Sequence, residues 1–281
     1  MKSAEFRSTV WFGNGERGER IVGKGLLVAA AFPRQKRAPH LSASTGVRVK
    51  LTLLRTFELV GDGTAISLPM SVQRVVAFIA LCRQPRHRAY VAGCLWLDTP
   101  EERAQANLRS ALWRLRRGGY PLIRATASQL QLDPAVEVDL HEAEALAASA
   151  LEDGAGPAAD VDLAALDGDL LPDWYDEWVL LERERFRQLR LRALDSLCDR
   201  LARAGRHREA LEVGHAAVAA EPLRESAHRA LVRVHLAEGN AAEAIRQYRL
   251  FRKLVSEQLG IEPSARMEAL IQGIDASVTA W

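Results

Sequence analysis

The chain has 281 residues, of which 48% are hydrophobic and 26% charged, which fits a globular protein with room for two domains. The three cysteines form no C-x-x-C pair and favour a reducing compartment. No apolar run reaches membrane-spanning length, so membrane-embedded function classes are not expected. We therefore predict a cytoplasmic protein without membrane contact.

The formal net charge of +2 hides an uneven distribution. Residues 1–50 carry a net charge of +7, residues 51–138 carry +4, and residues 139–281 carry −9. A basic front and an acidic back are expected when only the front of a protein binds a polyanion.

Residues 1–46 are rich in Gly, Ser, Arg and Lys without a hydrophobic period, which predicts a disordered basic extension. Gly13, Gly15 and Gly18 match the G-x-G-x-x-G pattern of dinucleotide-binding folds. That pattern requires a buried strand before it and a helix after it, and this segment offers neither. We predict no cofactor site here.

A new pattern begins at residue 47, where strand-like alternation is followed by amphipathic helical spacing. Glycine-rich turns and a proline separate the segments. The predicted elements before residue 99 are a strand over 51–59, a turn at 61–63, a short strand over 65–68, a helix capped by Ser71 that ends near Arg83, and a short helix over 89–97.

The stretch from Thr99 to Gly119 carries the functional prediction. Thr99 as cap, Pro100 at the first helical position and Glu102 three residues after the cap predict a helix start, and the glycine pair at 118–119 predicts its end. At 100° per residue the helix has one apolar stripe. The stripe consists of Ala104, Leu108, Ala111, Leu112 and Leu115.

Five arginines and no acid lie between Arg103 and Arg117, opposite or beside this stripe. Most charged helix faces are simply solvated, but solvated helices normally mix both signs of charge. This face carries only positive charge, with an amide and a hydroxyl between the arginines. It therefore favours a polyanionic ligand.

The setting of this helix strengthens the interpretation, because two earlier helices and two later strand-like runs make a winged helix-turn-helix. In that fold the last helix enters the major groove of DNA, where arginine binds phosphates and guanine edges. The residues predicted to bind double-stranded DNA are Arg103, Asn107, Arg109, Ser110, Trp113, Arg114 and Arg117 of the third helix and Arg124 of the wing.

The acidic back half predicts a tetratricopeptide-like helical repeat domain over residues 139–281. Gly205 and Ala210 recur 34 residues later as Gly239 and Ala244, which is the period of that repeat. The fold class is therefore mainly α with a small β component: a winged helix over 47–138 followed by a repeat domain that stabilises, dimerises or binds proteins. The predicted helices include 139–151, 174–204 and a capping helix over 264–274.

The sequence contains no HExxH, GxSxG or P-loop motif, and its histidines are scattered. We predict no catalytic residues, no metal and no cofactor, and hence no enzyme. Two functions remain open on the residues alone: a DNA-binding regulator, or an adaptor whose repeats bind a protein and whose winged helix does not bind DNA.

Several motifs together carry a resemblance to a known family over residues 47–275. They are Leu53 to Leu59, Leu95-Trp96 with Asp98, Ala106 to Arg109, Leu115 to Arg117, Leu170 to Pro172, Trp178, Glu182 to Arg185, and Gly260 to Ser264. With these motifs the chain resembles the Streptomyces antibiotic regulatory proteins, whose short members join an OmpR-type winged helix to a bacterial transcriptional activator domain.

The resemblance implies a transcription activator that binds tandem direct repeats upstream of promoters as a head-to-tail homodimer and recruits RNA polymerase. It also places the recognition role on the third-helix residues named above. Two departures stand out: Leu97, where proline is common, and Trp113, where a small residue is usual. An outward tryptophan is expected to alter which bases are read, for example by packing on thymine methyl groups.

Overall fold

The computed structural model describes residues 48–119, 121–152 and 162–278. The predicted basic extension over 1–46 and its glycine motif lie outside these ranges. The described residues form nine α-helices and seven short strands, which confirms the predicted mainly helical fold class with a small β component.

A four-stranded sheet begins the described chain, in the order β3-β2-β1-β7. The strands β1, β2 and β3 are antiparallel neighbours, whereas β7 returns from far along the sequence and pairs parallel with β1. The four strands are β1 (Val49–Thr52), β2 (Glu58–Gly61), β3 (Thr64–Ala65) and β7 (Val136–Val138).

The single strand predicted over 51–59 is wrong, because the chain leaves β1 after Thr52 and starts β2 only at Glu58. The backbone N–H groups of Leu53 and Leu54 donate to the carboxylate of Asp139, at 2.8 Å and 3.0 Å. Arg55 then adopts a left-handed backbone conformation with φ of 72°. A distant side chain thus interrupts a segment whose period-two pattern is that of a strand.

Three helices follow: α1 (Met70–Cys82), α2 (Arg88–Leu95) and α3 (Glu101–Arg117). Both α1 and α2 pack against α3. The predicted cap Ser71 lies inside α1, because the carbonyl of Pro69 already accepts bonds from the N–H groups of Val72 and Gln73.

A three-stranded wing completes this half, in the order β4-β6-β5. The two strand-like runs predicted after the third helix form an antiparallel pair, and the structure adds a short strand immediately before α2 that the sequence does not predict. The strands are β4 (Arg86–His87), β5 (Ile123–Ala125) and β6 (Gln129–Leu132).

The back half is built from six α-helices within the described residues, and each of the first five packs on the next. Gly205 and Gly239 precede α6 and α8 with nearly equal φ of 74° and 77°, so the 34-residue repeat read from the sequence is a repeat of backbone conformation. The helices are α4 (Asp139–Leu151), α5 (Glu177–Arg203), α6 (His207–Ala220), α7 (Glu225–Ala237), α8 (Ala241–Leu259) and α9 (Ala265–Val278).

One hydrophobic core runs from β1 to α7 and so joins the two halves. The segment before α5 lies against the β1–β2 connection: Leu54 pairs with Leu170, and the rings of Phe57 and Trp174 stack with centroids 5.8 Å apart. Arg183 of α5 donates to three carbonyl groups of this segment. The division of the chain at 138/139 stays a prediction, since this core crosses it.

Candidate nucleic-acid interface

The third helix begins one residue later than the sequence predicts. Thr99 lies one residue before the N-cap, in a turn where its N–H group donates to the carbonyl of Trp96 at 3.1 Å. Pro100 is the N-cap instead, with an extended ψ of 143° and no side-chain hydrogen bond. The predicted end is correct: Gly118 closes α3, and Gly119 takes the left-handed conformation with φ of 81°.

The predicted apolar stripe of α3 is confirmed, because all five of its side chains are at most 6% exposed. It faces α1 and α2. The opposite face is open. Arg103, Arg109, Ser110, Trp113, Arg114 and Arg117 are exposed and Asn107 is half-buried, so the structure brings the seven predicted α3 residues to the outside of the helix or its flank.

The five arginines of α3 have no ion-pair partner among the described residues. The contrast with α5 is clear, where Arg187 pairs with both Glu184 and Glu221. The acids of α3 itself, Glu101 and Glu102, sit in its first turn. Side chains of the described residues therefore do not neutralise the positive charge of the outer face, and such a charge favours binding of a polyanion.

Arg124 has a different position from the other predicted residues. It lies on β5, and its Nε donates to Oδ2 of Asp133 at 2.8 Å. Although desolvation acts to raise the pKa of Asp133, the bonds from Arg124 and from the N–H group of Ala135 hold that pKa below its usual range. Arg124 thus links β5 to the residue that follows β6, and its side chain remains 63% exposed to solvent.

Sequence reasoning missed Arg88, which connects the wing to the helices. Its backbone N–H donates to the carbonyl of Ser128 at 2.9 Å, and its Nη1 to the carbonyl of Thr126 at 3.1 Å. Arg88 also lines a cleft with Gln105, Arg109 and Ser128. The two arginines of the R-H-R run over 86–88 were the signal in the sequence that could have pointed to this site. Because β4 could not be predicted, the run gave no reason to place these side chains beside α3.

Trp113 lies in the middle of the basic face and is 58% exposed. Its ring is one helical turn from Arg117, whose guanidinium carbon lies 4.8 Å from the ring centroid. The sequence predicts that Trp113 points outward, but it does not predict that the ring stacks on Arg117.

Two other features are absent from the described ranges, a metal-ligand cluster and a membrane-spanning helix. No group of three or more His, Cys, Asp or Glu side chains there has the arrangement needed to hold a metal ion. None of the described helices is long and apolar enough to cross a bilayer.

This chain is similar to known bacterial regulatory proteins. Residues 136–275 match the family model of the bacterial transcriptional activator domain. The regulatory protein AfsR of Streptomyces griseus is 27% identical over 253 residues, and AfsR of Streptomyces coelicolor is 30% identical over 229 residues. These matches support membership of the Streptomyces antibiotic regulatory protein family, which the sequence motifs resemble.

The matches cover 85% and 76% of this chain but only 26% and 23% of the two AfsR proteins, so this chain spans about a quarter of the length of those relatives. A solved structure of Mycobacterium tuberculosis EmbR, in complex with a low affinity phosphopeptide, is similar with a TM-score of 0.68. That similarity covers 82% of this chain and 66% of EmbR at 21% identity, and it supports the winged-helix and helical-repeat fold.

Proposed function

We propose that this protein is a sequence-specific transcription activator whose α3 reads the major groove of DNA. The observation that carries the proposal is the outer face of α3, where five arginines lie without an acidic partner among the described residues. Beside it is a wing to which Arg88 and Arg124 form hydrogen bonds. The family is one of transcription regulators, which agrees with this assignment.

The dimensions of α3 suit the groove. A helix of 17 residues is about 25 Å long, and the major groove is about 12 Å wide, so the exposed face fits lengthwise with its side chains toward the base edges. Arg114 and Arg117 in the last turns are the candidates for guanine recognition, because guanidinium donates two bonds to O6 and N7. The other arginines are suited to phosphates on either side.

The two halves have complementary tasks in this proposal. The net charge of −9 on residues 139–281 disfavours contact with DNA and leaves the helical repeats available to proteins, among which we propose RNA polymerase. Two copies would bind direct repeats head to tail, with half-sites about 10.5 base pairs or a multiple of it apart, so that both α3 helices meet the same side of the duplex.

Binding of the full chain to duplex DNA from upstream of its own gene tests the proposal. We expect salt-sensitive binding that Arg114→Ala and Arg117→Ala each weaken about 5- to 100-fold, the range of one lost bidentate contact. Arg249→Ala in α8 is the matched control, because Arg249 is exposed, lies in the repeat domain and changes the charge equally. Far-ultraviolet circular dichroism verifies that helicity is unchanged.

Two results would contradict the proposal. Absence of any salt-sensitive binding to genomic fragments would favour the adaptor function instead. Equal effects of the α3 variants and of Arg249→Ala would show that the protein binds DNA through a surface other than α3.

A further inference from the structure

Packing within the described part of the chain does not account for the position of Trp113. It belongs to neither of the hydrophobic clusters of the described residues, and it lies on the face of α3 opposite the buried stripe. The rings that do pack together, among them Phe57, Phe78, Trp174 and Trp178, lie between the winged helix and α5. A large apolar side chain that remains 58% exposed on a basic surface points to a role in binding.

The partner of Trp113 in the free protein is Arg117. The two residues are four apart on α3 and therefore neighbours on one face, and the guanidinium carbon lies 4.8 Å from the ring centroid, within the range of a cation–π contact. Within the described part of the chain, no carboxylate forms an ion pair with Arg117. The ring of Trp113 is the group that its guanidinium contacts there.

Stacking of this kind restricts a flexible side chain before the ligand arrives. A free arginine has many rotamers and loses that freedom on binding, whereas a guanidinium held against a ring loses less. The planar fork of donors keeps its charge and its hydrogen-bonding edge while one face lies on the indole. The ring therefore selects one direction in which the donors of Arg117 project.

We propose that Trp113 is a positioning residue that fixes the orientation of Arg117 and thereby the base that Arg117 recognises. The inference rests on the proposed DNA-binding function and names the ligand chemistry of this part of α3: the O6 and N7 acceptors of one guanine in the major groove. Trp113 acts through Arg117 and not by direct contact with a base.

A double-mutant cycle tests this mechanism on the duplex that the full-length wild-type protein selects from a random pool. Trp113→Ala is expected to weaken binding about 3- to 30-fold and to flatten the preference at the same base pair as Arg117→Ala. The double variant is expected to bind within about twofold of Arg117→Ala alone, because the two residues act as one unit. Trp113→Phe, which keeps a ring, is expected to restore most of the preference.

The matched control is the double variant Trp113→Ala/Arg114→Ala. Its loss of binding free energy is expected to equal the sum of the two single losses, because the ring of Trp113 stacks on Arg117 and not on Arg114. Additive effects of Trp113→Ala and Arg117→Ala would overturn the proposal. So would loss of preference in Trp113→Ala at a base pair that Arg117→Ala leaves unchanged, since that result would assign direct base contact to the indole.

A measurement on the free protein separates this inference from the proposed function. In nuclear magnetic resonance spectra, the side-chain signals of Arg117 should show an upfield ring-current shift that disappears in Trp113→Ala. Absence of the shift overturns the proposal whether or not DNA binds. A shift without any DNA selection by the wild-type protein refutes the proposed function, and the positioning role fails with it.

Discussion

Asp139 provides the sharpest test of how the two halves are joined. Its carboxylate accepts bonds from the backbone N–H groups of Leu53 and Leu54, which are 0% and 5% exposed. Water does not readily replace a lost acceptor at such buried groups. With about 1.5 kcal/mol or more for each bond to a charged group, Asp139→Ala should lower the free energy of unfolding by about 3 kcal/mol.

Urea unfolding followed by circular dichroism measures this loss. With an m-value of about 3 kcal/mol/M, the midpoint should fall by about 1 M urea while the slope stays the same. Glu142→Ala is the control: Glu142 is an exposed acid in the same first turn of α4, so it removes the same helix-dipole interaction without the two backbone bonds. A difference below about 0.5 kcal/mol between the variants would refute the reasoning.

Three further predictions follow from the contacts. Arg88→Gln should reduce the slope of log K against log salt by about 0.9 on specific and non-specific DNA alike, measured by fluorescence anisotropy, if Arg88 contacts a phosphate. Gly214→Ala should lower the free energy of unfolding by about 1–3 kcal/mol, because the added Cβ would lie 2.4 Å from a side-chain carbon of Leu231 in α7. Gly93→Ala should raise it by about 0.5–1 kcal/mol in thermal unfolding, because the added Cβ meets no atom within 4 Å and alanine favours the helix. Burial lowers the pKa of His141 and His228, so the unfolded chain binds more protons as the pH falls below about 6.5. Stability should therefore decrease from that pH downward to the folded-state pKa, and replacing either histidine with Gln should flatten the decrease.

Helical segments with a strict period could be predicted from the sequence almost residue by residue. The helix predicted over 139–151 is α4 with the same bounds, and the buried stripe of α3 is the predicted one. The reason is physical: an amphipathic period specifies which side of a helix is buried, whatever it packs against. The glycines of the repeat, Gly205 and Gly239, likewise encode a left-handed backbone locally.

Predictions from the sequence are wrong where a residue far along the chain determines local structure. The strand over 51–59 is interrupted by Asp139, more than 80 residues away, and β7 joins β1 across a similar separation. Such pairings leave no periodic signal in either segment. Two-residue strands such as β4 are also too short to produce a pattern, which is why the place of Arg88 at the interface was not foreseen.

The exposed face of α3 was predicted correctly from the sequence, but the contacts of its side chains were not. The exposed face of α3 could be identified because its arginines and the helical spacing of its apolar residues can both be read from the sequence. The pairing of Arg124 with Asp133 and the stacking of Arg117 on Trp113 depend on side-chain conformation in the folded protein. The assignment of these residues to DNA binding stays a proposal.

The central claim is that the outer face of α3 reads base edges in the major groove. Interference with guanine N7 methylation tests it most directly, since that methyl group lies in the major groove and blocks arginine contacts. The account predicts that specific guanines in a repeated pattern are excluded from wild-type complexes, and that Arg114→Ala or Arg117→Ala abolishes the exclusion at one guanine of each repeat. Complexes that tolerate N7 methylation at every guanine would contradict the claim.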